Sequence, residues 1–255
     1  MNAETLLLTT LLLPLAGAAG IIITRHTPNV REGVTLLTST LVAVLVVMIA
    51  ARFMDGETFA ITLMEPLPGI AIAFEIEALG MLFALVAGLL WVVTSIYSIG
   101  YMRGHNEQNQ TRFFAAFAVS IAATMGIAFA ANLFTLFLFY ELLTLATYPL
   151  VTHAGSPEAK RGGRTYLGIL LGTSIGLLLL GILVTWSLTG RIDFQAGGIL
   201  AGHIDPAWAG LLYALFLFGI GKAAVMPFHR WLPAAMVAPT PVSALLHAVA
   251  VVKAG

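Results

Sequence analysis

Four ionisable side chains stand where the surrounding sequence is apolar: Glu141, Lys222, His247 and Lys253. Glu141 is the ninth residue of a run, 133–151, that carries no other charge. An ionised group at such a depth in lipid costs a few kcal/mol or more unless it is partnered, so intramembrane charges are rare and usually functional. Polar company follows on one helical face, Thr144 at i+3 and Tyr148 at i+7. Burial disfavours the charged form of both a carboxyl and an ammonium, whereas bringing the two together favours it. A Glu/Lys set in a damp, low-dielectric cavity therefore has proton affinities that depend on whether the pair is open or closed, which is the chemistry of a proton relay. The structural alternative is a buried ion pair that fixes helix packing. That alternative leaves His247 and Lys253 without a reason.

Lys222 lies in the stretch LLYALFLFGIGKAAVMPFHRWLPAAMVAPTPVSALLHAVAVVKAG. One helix from Ala207 to Val237 would hold 31 residues, against the roughly 20 that cross a bilayer. Pro227 predicts a break, because it lacks an N–H and its ring clashes with the carbonyl four residues back, at Ala223. Non-helical backbone at membrane depth survives only where protein buries it or a wet cavity receives it, so lysine and break point to one place. The alternative is a packing kink with Lys222 snorkelling to an interface. In the following apolar run Ser243 and His247 share a face at i, i+4, and Lys253 lies about 9 Å further and about 120° around the axis. That spacing makes successive stations, not one site. The remaining histidines, His26, His105, His153, His203 and His229, fall in or near loops with no metal-site spacing.

These groups need a membrane to matter, and the composition supplies one. The chain is 59% hydrophobic and 9% charged, far below the roughly 25% charge of a soluble domain. It has no cysteine, which excludes disulfides, thiolate metal sites and iron–sulfur clusters. A net charge of zero argues against nucleic-acid binding, which needs a concentrated basic surface. No phosphate loop, dinucleotide fingerprint or nucleophile elbow is present. Apolar runs predict spans at about 5–24, 34–51, 78–101, 113–131, 133–151, 166–188 and 207–226. An eighth begins at Val242 and is too short to cross, so the chain is expected to be part of a longer one. MNAETLLLTT lacks the basic start of a signal peptide, so the first run reads as an uncleaved span. Arg52 to Glu77, with Pro66, Pro68 and Gly69, reads as an extramembrane turn or hairpin, and Asn132 divides spans four and five.

Loops after spans one, three and five hold Arg25, Arg31, Arg103, Arg112, Lys160, Arg161 and Arg164; those after spans two, four and six hold Arg52 and Arg191. Seven against two places the first set in the cytoplasm and the N-terminus outside.

GKAAVMPFHRWLPAAMVAPTPVSALLHAVAVVKAG, with YSIGYM at 97–102 and FYELLTLATYPLV at 139–151, closely resembles the antiporter-like family of membrane subunits. That family includes subunits L, M and N of NADH-quinone oxidoreductase and the large subunits of Mrp-type cation/proton antiporters. The similarity runs from Glu77 onward and is most specific in the last 35 residues. It implies an all-α, polytopic membrane helix bundle, the first of two inverted repeats with a broken seventh helix. By position it makes Glu141 the fifth-span glutamate, Lys222 the lysine of the broken helix, Lys253 the eighth-span lysine of Mrp-like members, and His247 a member of the polar axis. The chain departs from the pattern at Ala234, where many members carry an acid, and at Glu77, where Asp is common. Residues 1–77 are expected to hold two spans and an extracytoplasmic hairpin, and 78–255 the proton-translocating domain.

The implied function is proton translocation, with sodium coupling open, by an antiporter-like subunit of a multi-subunit cation/proton antiporter in the cell's inner (plasma) membrane. The second reading places the same chain in a redox-driven quinone oxidoreductase or membrane hydrogenase. Nothing in the chain ligates an electron carrier, so no cofactor or metal is expected and the chain is a transport module under either reading. A membrane scaffold is the third.

Overall fold

The computed structural model describes residues 2–195 and 197–255, with the side chains of residues 207 and 248 left aside. Helix α1 (Ala3–Ile23) starts where the Asn2 side chain accepts from the Thr5 N–H, an N-cap that satisfies one of the orphan donors of the first turn. Helix α2 (Pro28–Met54) opens on a proline, whose missing N–H costs nothing there. A hairpin of β1 (Ala60–Leu67) and β2 (Ile70–Glu75) follows, turning at Gly69 with φ +76°, a conformation glycine adopts without steric penalty. Next come α3 (Ala78–Gly104), α4 (Gln110–Ala128) and α5 (Leu133–Val151). The expected division at Asn132 is an N-cap: its side chain accepts from Thr135 N–H at 2.8 Å and donates to the Ala71 carbonyl at 2.9 Å.

Helix α6 (Pro157–Thr173), a π-helical turn (Ser174–Leu178) and α7 (Leu179–Thr189) together form one continuous rod. Among the described residues six helices, counting that rod as one, are long and apolar enough to cross a membrane. The protein is a multi-pass membrane helix bundle.

The connections sort into two ends. At one end Arg31 at the start of α2 donates to the Gln110 side chain at 2.7 Å, Arg103 of α3 pairs with Glu32, and Arg112 of α4 donates to the His153 carbonyl beyond α5 at 3.1 Å. At the other end the hairpin and the segments after α4 and α7 knit together. Glu75 N–H donates to the Phe129 carbonyl at 2.8 Å, Leu133 N–H to Ile192 at 3.1 Å, and the Trp186 indole to Pro68 at 3.3 Å. The loops grouped by charge in the sequence thus share one end of the bundle.

Several boundaries move from expectation. The second span begins at Pro28, not 34, so Arg31 and Glu32 lie on a helix and are each only 5% exposed. The sixth begins at Pro157, not 166, putting Lys160, Arg161 and Arg164 on its first turns. The seventh is the largest departure. Helix α8 (Pro206–Gly219) ends well short of Pro227, because Gly219 and Gly221 flank the stop and Ile220 leaves helical geometry with ψ 50°. Beyond it lie a 3₁₀ turn (Gly221–Ala223), Ala224 in the left-handed region with φ +55°, a second 3₁₀ turn (Phe228–Arg230), α9 (Trp231–Ala235) and α10 (Thr240–Ala244). The eighth run does not keep one helical screw either. A π-helical turn (Leu245–Val249) and a bend at Ala250 interrupt it, so the angular offset expected between His247 and Lys253 does not apply.

Candidate functional site

Breaking a helix frees backbone groups that need partners at membrane depth, and at this break side chains from two other elements supply them. The Lys222 N–H donates to the Tyr140 hydroxyl of α5 at 3.0 Å, and the Gly221 carbonyl accepts from the Trp231 indole of α9 at 2.8 Å. Close packing makes the break possible. A Cβ on Gly219 would run into the Leu178 backbone, and one on Gly221 into the Thr173 side chain, so only glycine lets the turn reach the rod formed by α6 and α7.

Lys222 is fully buried. Its ammonium donates to the Tyr140 carbonyl at 2.7 Å and to Thr144 Oγ1 at 2.6 Å, and it lies 3.1 Å from the centroid of the Tyr140 ring. Two oxygen acceptors and the negative face of an aromatic ring are what a desolvated cation requires. Tyr140 therefore holds the lysine three ways, by hydroxyl, carbonyl and ring. Thr147, one turn beyond Thr144, shares a 2.6 Å hydrogen bond with the Tyr166 hydroxyl of α6, and Tyr166 meets Trp231 edge to face. The polar groups of α5 converge on the broken turn.

Glu141 is the next residue along α5, and both its carboxylate oxygens are sealed from solvent without a hydrogen-bond partner among the described residues. It and Lys222 are close enough to interact electrostatically, but neither joins an ion pair among the described residues. The π-helical turn brings Ser174 against the carboxylate, yet the Ser174 hydroxyl donates to the Leu170 carbonyl at 2.7 Å. The structure brings together Glu141, Lys222 and Thr144. Tyr148, expected in the same company, packs instead against Gly163 of α6.

His247 and Lys253 are not joined to that pair by any hydrogen bond or ion pair among the described residues. His247 lies in its π-helical turn with Nε2 sealed and without a hydrogen-bond partner among the described residues. Lys253 is exposed. It borders a cavity of about 570 Å³ that also meets Glu75, Glu77 and an apolar wall of Leu79, Phe83 and Leu136. The 3₁₀ turn at Val252–Ala254 nonetheless packs on the Lys222 turn, where Gly255 lies directly over Ala223.

Sequence reasoning missed Tyr140, Ser174 and Trp231, whose residue types are ordinary in apolar spans. It also missed a buried charge cluster away from the site, in which Arg31 lies beside Glu32 and 5.5 Å from the Phe114 ring, while Arg103 reaches in to Glu32. There His153 has its side chain almost fully buried, with Nε2 3.7 Å from Glu107. Burial, assisted by the neighbouring Arg112 charge and opposed by Glu107, holds its pKa below the ordinary histidine value.

Residues 130–255 match the family described as NADH:quinone oxidoreductase/Mrp antiporter, and residues 68–114 match NADH-ubiquinone oxidoreductase (complex I), chain 5 N-terminus. The chain is 29% identical over 191 residues to the A/B subunit of a probable K(+)/H(+) antiporter of Rhizobium meliloti, covering 73% of this chain and 19% of that protein. It is 33% identical over 195 residues to the chloroplastic NAD(P)H-quinone oxidoreductase subunit 5 of Adiantum capillus-veneris, covering 73% of this chain and 26% of that protein. The chain thus spans only 19% and 26% of the length of these two relatives. The fold is that of a chain in the Mrp complex from Dietzia sp., with TM-score 0.83, 23% identity, and coverage of 100% of this chain and 47% of that one.

Proposed function

The chain belongs to the NADH:quinone oxidoreductase/Mrp antiporter family, and we propose that it translocates protons as an antiporter-like subunit of a multi-subunit cation/proton antiporter. The observation that carries this reading is the fully buried Lys222 in a short 3₁₀ turn that interrupts the helix, beside a carboxylate without a hydrogen-bond partner among the described residues. In this account Glu141 and Lys222 exchange a proton when the lysine leaves Tyr140 and Thr144, and His247 and Lys253 pass it onward. Sodium is the coupled ion of the proposal. The protein sits in the plasma membrane with its N-terminus extracytoplasmic, an orientation supported by the seven-to-two loop charge count and by the meeting of those loops at one end of the bundle.

The similarity to an NAD(P)H-quinone oxidoreductase subunit favours a second reading, proton pumping inside a redox-driven complex whose other subunits hold the electron carriers. The full-length protein with its neighbouring subunits, in vesicles enclosing a pH-sensitive dye, separates the two. The antiporter reading expects proton movement when a sodium gradient is imposed and no electron donor is present. Movement only on addition of a reductant and quinone would favour the second reading and end the first.

A further inference from the structure

The groups that interact with the Glu141 carboxylate include Lys222, turned away to Tyr140 and Thr144; the hydroxyls of Tyr140 and Tyr166, the first accepting from the Lys222 N–H and the second bonded to Thr147; and Ser174. The Ser174 hydroxyl sits on a short side chain that a single χ1 rotation redirects. Its present acceptors are the carbonyls of Leu170 at 2.7 Å and Leu171 at 3.3 Å, bonds a helical serine makes by default and gives up readily. Among the described residues both oxygens of Glu141 lack a hydrogen-bond partner, and a buried polar group left so costs far more than an exchanged hydrogen bond.

Backbone geometry places that serine on purpose-built ground. Ser174 is the first residue of the π-helical turn, and such one-residue bulges re-aim a helix face. The same turn is wedged against the broken segment: Gly219 rests on Leu178, and Gly221 rests on Thr173, the residue before Ser174. Movement of the Lys222 turn therefore presses on the bulge that carries Ser174.

We infer that Ser174 is a positioning residue for Glu141, its hydroxyl swinging from the Leu170 carbonyl to the carboxylate when the Lys222 turn moves. The hydroxyl donates to a Glu141 oxygen whether that carboxyl is ionised or protonated, so it holds the group through a proton transfer without taking the proton. The inference rests on the relay reading of Glu141, and the following experiment keeps the two separable.

Infrared difference spectra of the full-length protein in membranes, taken across a pH step, report the C=O stretch of protonated Glu141, identified by its loss in Glu141→Gln. Ser174→Ala should raise that frequency, as expected for a carbonyl that has lost a donor, and lower proton flux roughly tenfold or more at an unchanged protein level. Ser174→Thr, which keeps the hydroxyl, should retain the original frequency. A band that Ser174→Ala leaves unmoved overturns the inference, and so does a shifted band with undiminished flux. Undiminished flux in Glu141→Gln would instead end the relay reading, whatever the serine variants do.

Discussion

The Lys222 ammonium lies 3.1 Å from the centroid of the Tyr140 ring and donates to the carbonyl of the same residue at 2.7 Å. One tyrosine thus anchors a buried cation without supplying an anion. The nearby carboxylate, Glu141, has neither an ion pair with the lysine nor a hydrogen-bond partner among the described residues. A packing pair would be closed; a relay needs a state in which it is open.

Thr144 supplies the ammonium's second oxygen acceptor, a side-chain hydroxyl beside the main-chain carbonyl of Tyr140. Thr144→Val removes the hydroxyl 2.6 Å from the ammonium while keeping shape, and leaves Tyr140 as the remaining anchor. Hydrogen bonds to charged groups contribute about 1.5–3 kcal/mol, so proton flux should fall by roughly tenfold or more with normal membrane levels. Wild-type flux would remove Thr144 from the site.

Tyr140→Phe keeps the ring and the carbonyl but leaves the Lys222 N–H without its acceptor in a fully buried turn. The expected cost is about 1–3 kcal/mol of stability, read as a lower melting temperature in detergent. Tyr140→Leu also loses the ring face and should be worse. Equal stability of the two variants would mean that the ring contributes nothing to holding the cation.

Much of this site was legible because the chemistry is rare where it stands: a glutamate and a lysine in apolar runs announce themselves by type alone. The break was legible in kind but not in place. Pro227 is the obvious local breaker, but the helix stops at Gly219 because two glycines dock on Leu178 and Thr173, a tertiary contact invisible in the sequence. Tyr140 and Ser174 stayed hidden for a similar reason. Aromatics and serines are common in membrane helices, and only the fold shows that these two face a charge. The hairpin after the second span and the Asn132 cap were readable from Pro, Gly and Asn, since those residues act locally.

Gly221→Ala tests the docking directly. Its Cβ would collide with the Thr173 side chain, and forcing an extra methyl into a packed contact costs about 1–3 kcal/mol. Lower assembly in membranes is expected, eased when Thr173→Ala is added. If the second change fails to help, the contact is not what positions the turn.

Away from the lipid, His153 sets a pH dependence. Its folded pKa is depressed by burial, so the folded chain binds fewer protons there than the unfolded one. The stability it contributes is complete above the unfolded value, about 6.5, and is lost as pH falls toward the folded value. Thermal melting should therefore weaken below about pH 6.5, and His153→Phe should flatten that slope. An unchanged slope would rule out His153 as its source.

Two exposed positions report orientation in a chain that has no cysteine of its own. Ala154→Cys and Gln195→Cys should label from opposite faces with an impermeant thiol reagent, Ala154 from the cytoplasmic side. Labelling of both from one face would overturn the span assignment; exchange of the two faces would overturn only the proposed orientation.

The central claim is that Glu141 and Lys222 carry protons and do not merely pack. Its most direct measurement is proton flux beside membrane protein level for Glu141→Gln, Lys222→Met and the double variant in the full-length protein. A packing role predicts that removing one partner strands a buried charge at about 3–5 kcal/mol, lowers the amount of folded protein, and is repaired by removing both. The relay account predicts normal levels in all three and nearly abolished flux in all three, because each variant lacks at least one of the two groups that must hand the proton on. A double variant that transports protons would contradict it.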